Sequence, residues 1–198
     1  MESSSLGKLI RKSFFAGRSE HMWLILVFRI CLLTGFLVSV WKWGDWKNWE
    51  KYYPSVLFVM VVNLSVSYLG YHHSFWIFNP DVLVDTQTVV ELLNTYISLP
   101  ATTLLFLSYW PRQGWGRQGK YIAWWVFLYG AIEGIDHYFI HGISYGNGWC
   151  YGYSLLFDCA MFTTIAVHYI RPFWGWIMTF TAVTGVVIAF KIFLSEMK

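Results

Sequence analysis

Charge is scarce in this chain of 198 residues: only 13% are Asp, Glu, Lys or Arg, about half the share of an ordinary soluble domain. The charges cluster, and the apolar blocks between them reach bilayer-spanning length, which leaves no stretch for a separate soluble domain. A folded basic face for nucleic acid is thereby excluded, and a net charge of +3 gives no reason to look for one. Cysteine is nearly absent. Cys31, Cys150 and Cys159 are odd in number and far apart, which argues against a disulfide framework or a cysteine zinc site and predicts small buried apolar residues. No nucleophile elbow, Walker loop, dinucleotide fingerprint or HExxH motif is present. No small-residue cleavage site follows the first apolar block, so it is expected to be a span and not a cleaved signal.

Aromatic residues are what the chain has in plenty, at 21%, with 13 Trp, 13 Tyr and 16 Phe. Trp and Tyr gather at block ends, where amphipathic rings favour the headgroup region. The blocks predict six transmembrane helices, at 22–41, 54–73, 88–110, 121–141, 152–170 and 173–194. The expected fold is therefore all-α: a polytopic integral membrane helical bundle forming one unit over 22–194, with a polar basic leader at 1–21 and a short tail at 195–198. The leader carries Lys8, Arg11, Lys12 and Arg18 between apolar residues at near-helical spacing, and reads equally as an interfacial helix or a flexible tail. Trp41, Trp43, Trp46 and Trp49, interleaved with Lys42, Lys47 and Lys51, form an interfacial anchor.

Lys and Arg occupy the first, third and fifth connections (Lys42, Lys47, Lys51; Arg112, Arg117, Lys120; Arg171) and are missing from the second and fourth. The positive-inside rule then puts the basic connections in the cytoplasm and both termini outside, although the basic leader pulls the other way.

Ionisable groups inside a span mark candidate function. On the third span Gln87, Thr88, Glu91, Asn94, Thr95, Ser98 and Thr102 fall on a stripe about 120° wide, and Pro100 breaks the ladder beside it. On the fourth span Gly130 and Gly134 form a face for close helix approach, next to Glu133, Asp136, His137 and His141. Asp158 lies in the fifth span, and Asn63 and Ser67 share a side of the second. Arg29 in the first span needs a carboxylate, with Glu91, Glu133 and Asp158 as candidates. The candidate polar network is thus Arg29, Asn63, Glu91, Asn94, Ser98, Glu133, Asp136, His137, His141 and Asp158. No metal or cofactor is expected; the spacing of Glu133, His137 and His141 makes them weak candidates for metal ligands.

Spaced elements carry a resemblance: Trp41-Lys42-Trp43-Gly44-Asp45-Trp46, Tyr52-Tyr53-Pro54, Phe78-x-Pro80-Asp81, Glu133 and Asn147-Gly148-Trp149. Tyr153-Ser154-Leu155-Leu156-Phe157-Asp158, His168-Tyr169-x-Arg171-Pro172 and Trp176 complete it. From about residue 40 to 180 the chain resembles the CBO0543 family, small integral membrane proteins of spore-forming Gram-positive bacteria. The resemblance implies a multi-pass protein of a bacterial plasma membrane. It implies no activity, and carries over no functional residue; Asp136, His137 and His141 stand outside its pattern.

Three functions fit these residues. A non-enzymatic envelope or partner-binding component leads, with the bilayer, a second copy or another membrane protein as partner. A small transporter or proton/ion pathway would use the intramembrane Glu, His and Asp residues. A metal-dependent enzyme acting on lipid would gather Glu133, Asp136, His137 and His141.

Overall fold

The computed structural model describes residues 3–190, with side chains from residue 20 onward. The predicted tail at 195–198 and the end of the sixth predicted span lie outside the described residues. Helix α1 covers Ser3–Trp43, α2 Trp49–Leu69, α3 Gln87–Leu93, α4 Leu99–Ser108, α5 Trp115–Ile135, α6 Tyr151–Ile170 and α7 Pro172–Ala189. Short strands β1 (Trp76–Phe78) and β2 (Ile143–Tyr145) stand between helices. The fold is the expected all-α bundle. The leader is helical from Ser3 and enters the first span without a break.

Among the described residues five helical rods are long and apolar enough to cross a bilayer: Glu20–Trp43, Trp46–Leu69, Gln87–Ser108, Tyr151–Ile170 and Pro172–Ala189. Helix α5, the fourth predicted span, has the length, but Arg117, Lys120 and Glu133 lower its apolarity. It nonetheless packs along α6 within the same bundle. A Cβ on Gly130 would run into the Leu155 side chain, and one on Gly134 would stand 3.2 Å from the Tyr151 hydroxyl. The expected small-residue face is therefore the one turned to α6.

Apolar side chains cover the outside. Leu24, Val27, Leu37, Phe127, Leu156, Phe173, Phe180 and Ile188 are all exposed, as lipid-facing residues are. The three cysteines are exposed as well, which corrects the expectation of burial. In a bilayer a small apolar side chain can face acyl chains as readily as a protein core.

Successive rods alternate in direction. Ser108 Oγ accepts the Asp45 N–H at 3.0 Å, and Lys51 Nζ lies 5.4 Å from the Tyr169 ring centroid. Those contacts gather the basic connections at one end. At the other end, β1 and β2 pair antiparallel, Trp76 opposite Tyr145 and Phe78 opposite Ile143, which ties the second connection to the fourth. Between the ends lies an aromatic layer. Phe106 and Phe162 are fully buried with ring centroids 5.1 Å apart, and Tyr129 stands edge-on to Phe162 at 5.2 Å.

Helices α6 and α7 meet at a tight elbow. A Cβ on Gly175 would lie 2.5 Å from the Cβ and 2.7 Å from the Cα of His168. Gly175→Val is therefore expected to lower stability by about 1–3 kcal/mol through overpacking, although glycine is a poor helix former. Thermal unfolding in detergent measures it; an unchanged or raised midpoint would show that the elbow is loose.

Candidate functional site

The second connection folds back onto the first helix. Arg29 Nη1 donates to Asp81 Oδ2 at 2.6 Å, and Nη2 donates to the carbonyls of Asn79 at 2.7 Å and Gly142 at 3.4 Å. None of the three intramembrane acids is the partner of Arg29. The partner is Asp81, a connection residue that helical periodicity could not place. Asp81 is 1% exposed, and its Oδ1 accepts the N–H groups of Leu83 and Val84, both at 2.8 Å. Burial alone would raise its carboxyl, but those two N–H groups and the Arg29 guanidinium hold it below its ordinary value of 3.8. The stabilisation is thus present above that ordinary value and lost as pH falls through the lowered one. Acid titration of the folded protein below about pH 4 is expected to show a loss of structure that Asp81→Asn lacks. Identical acid profiles would contradict this.

Two glutamates meet around β1. Glu133 Oε1 accepts the Tyr145 hydroxyl at 2.8 Å and the Ser154 hydroxyl at 2.5 Å, and Ser154 Oγ accepts the Trp76 indole N–H at 3.0 Å. The Gln87 amide donates to the Trp76 carbonyl at 3.0 Å and to Glu91 Oε1 at 2.7 Å. Strand pairing sets Trp76 beside Tyr145, so one chain of hydrogen bonds runs from Glu91 on α3 to Glu133 on α5. Only Oε1 of each glutamate is engaged; Oε2 accepts no hydrogen bond among the described residues.

These groups border an open cavity of about 710 Å³ between α1, α2, α3, α5, α6 and the second connection. Arg29, Asn63, Glu91, Asn94, Ser98, Glu133, Asp136 and Asp158 all lie on its wall, eight of the ten residues singled out from sequence. Asp158 Oδ2 and Asp136 Oδ1 are buried and have no hydrogen-bond partner among the described residues. Asp158 lies seven residues into α6, about 10 Å from its start. Arg29 is the only Arg or Lys on the wall among the described residues, and Asp81 already neutralises it. Acid is in excess.

Two irregular turns flank the cavity. The third rod contains a π turn at Asn94–Ser98, where the Leu99 N–H reaches the Asn94 carbonyl, just before Pro100. The wider turn accommodates the proline, which cannot donate and whose ring crowds the preceding turn. Asn63 donates to Thr95 Oγ1 within this turn at 2.7 Å, and Thr102 and Tyr129 share a hydrogen bond of 2.5 Å. A second π turn, Asp136–Ile140, ends α5, and His141 follows it in a left-handed conformation with φ of 54°.

That second turn undoes the predicted histidine face. His137 Nδ1 sits 3.1 Å from the Ile143 carbonyl, with its ring against Tyr145, while His141 stacks on His21 at 5.7 Å. The stripe drawn at ideal α-helical pitch ends where the pitch changes. Among the described residues no three His, Cys, Asp or Glu side chains are grouped to hold a metal ion, so Glu133, His137 and His141 do not form a ligand set. Sequence reasoning missed Trp76, Tyr129 and Tyr145 as site residues, and read Asp81 only as part of a spaced pattern. Their only sequence signal was aromatic content in connections and an acid beside proline.

No family model, curated protein or solved structure matches the chain, so nothing in those comparisons supports the resemblance to the CBO0543 family.

Proposed function

We propose that the protein is a membrane carrier for a small organic cation, entering from the side of the uncharged connections. The observation that carries this reading is the buried, unpartnered Oδ2 of Asp158, with Asp136, Glu91 and Glu133 on the same wall, whose only described Arg or Lys is taken by Asp81. A buried acceptor without a donor calls for an explanation, and a bound cation supplies one here. A cation there meets Coulomb attraction strengthened by low dielectric. Trp76, Phe75, Tyr129 and Phe157 line the same space and offer ring faces to an alkylammonium group. A volume of about 710 Å³ suits a ligand of drug size.

Movement is supported by the π turns in both glutamate-bearing rods, because broken helices beside a site are the joints of transporters. The Phe106, Phe162 and Tyr129 layer is the barrier toward the basic connections. Those connections are cytoplasmic in this reading, by the positive-inside rule, and α5 completes a sixth crossing. The bilayer is the plasma membrane of a Gram-positive bacterium; support for that comes from the resemblance alone. The lipid-enzyme reading loses its basis with the metal ligand set.

Counterflow in proteoliposomes tests the proposal. Labelled butyltrimethylammonium, permanently charged and membrane-impermeant, is expected to accumulate against unlabelled compound trapped inside, and to do so far less with Asp158→Asn. Uptake equal to that of protein-free liposomes would overturn the carrier reading.

A further inference from the structure

A second cavity lies behind the first. It has a volume of about 390 Å³ and is walled by α2, α6 and α7. Among the described residues no Asp, Glu, Lys, Arg or His lines it. Its wall includes Val59, Val62, Leu156, Ala160, Val183 and Val186, with aromatic and a few polar side chains beside them. The polar side chains on that wall are few: Asn63 donates to Thr95 and Thr164 to the Met161 carbonyl, while Trp149 Nε1 and Thr179 Oγ1 are buried without a hydrogen-bond partner among the described residues. Both cavities share Asn63, Val66, Phe75, Trp76, Phe157 and Met161 as wall. An acid-rich cavity and a largely apolar one, open on the side of Leu156 and Tyr153, thus stand back to back, one partition apart.

We infer that the ligand is a single-chain cationic amphiphile, with its ammonium head among the acids of the first cavity and its alkyl tail in the second. The inference rests on the cation-carrier reading and extends it to the substrate class. A head alone would leave the apolar chamber unfilled. A neutral lipid would leave the orphaned Oδ2 of Asp158 unanswered. Only a molecule carrying both features fits both chambers. Phe157 and Trp76, with rings 4.9 Å apart, form the part of the partition that must turn aside. Rotamer changes at such a wall are ordinary on binding.

Binding to nanodisc-embedded protein separates head from tail. Butyltrimethylammonium, dodecyltrimethylammonium and dodecanol are compared at matched mole fraction in the bilayer. The long cation is expected to bind about tenfold or more tightly than the short one. Ala182→Phe, which fills the second cavity, is expected to remove that advantage and leave the short cation unaffected. Ala160→Phe fills the same space from α6 and serves where Ala182→Phe does not fold. Equal affinity of the two cations, or an advantage that survives both fillings, overturns the amphiphile inference while leaving the carrier reading standing. Dodecanol binding as well as the long cation overturns both.

Discussion

Replacing Arg29 by leucine is expected to cost about 3–5 kcal/mol of stability, the range for breaking a buried ion pair from one side. Three bonds are lost at once, to Asp81 Oδ2, the Asn79 carbonyl and the Gly142 carbonyl. Asp81 remains 1% exposed with a charge whose partner has gone. Removing both members is milder, because a buried pair exchanged for apolar residues is often nearly neutral. Arg29→Leu with Asp81→Leu is therefore expected to recover most of the loss. The two backbone carbonyls left without a donor, and the Leu83 and Val84 N–H groups left without an acceptor, account for the remainder. Unfolding of the single and double variants in one detergent measures the coupling. A single variant less than about 1 kcal/mol below wild type would mean that the clamp is solvated, like an ordinary surface pair.

Asp158→Asn is expected to move binding and stability in opposite directions. The aspartate is 7% exposed, its Oδ2 has no partner, and it lies about 10 Å along α6 from its start, so the empty protein carries it at a cost. Asparagine keeps the shape without the charge, and the empty variant is expected to unfold at the same temperature or higher. Affinity for an alkylammonium ion is expected to fall about tenfold to a hundredfold, the worth of one charge-assisted contact. Such opposition is the mark of a functional site and not of a structural one. Glu133→Gln differs in kind, since Glu133 accepts from both Tyr145 and Ser154 and its loss disturbs the wall as well as the charge. A variant of Asp158 that loses stability and keeps affinity would assign the residue to packing.

Much of the fold was legible because lipid imposes a simple rule: long apolar blocks become helices, and their charges turn inward. Glu91, Asn94 and Ser98 were placed on one face by periodicity, and all three line the cavity. The reading failed where the chain leaves regular geometry. The π turn at Asp136–Ile140 and the left-handed His141 rotate the predicted histidines away from Glu133. Asp81 and Trp76 lie in a connection that periodicity treats as blank, yet the connection folds back and supplies the counter-ion of Arg29 and a bridge between two glutamates. Pairings across 52 residues, as between Arg29 and Asp81, arise from tertiary folding and leave no local trace.

Titration of the protein in nanodiscs with butyltrimethylammonium and with its uncharged carbon isostere measures the charge preference of the cavity directly. The expected result is one saturable site for the cation, weakened by Asp158→Asn, and no saturable binding of the isostere. Equal binding of the two compounds, or none of the cation, would contradict a cavity built to hold positive charge.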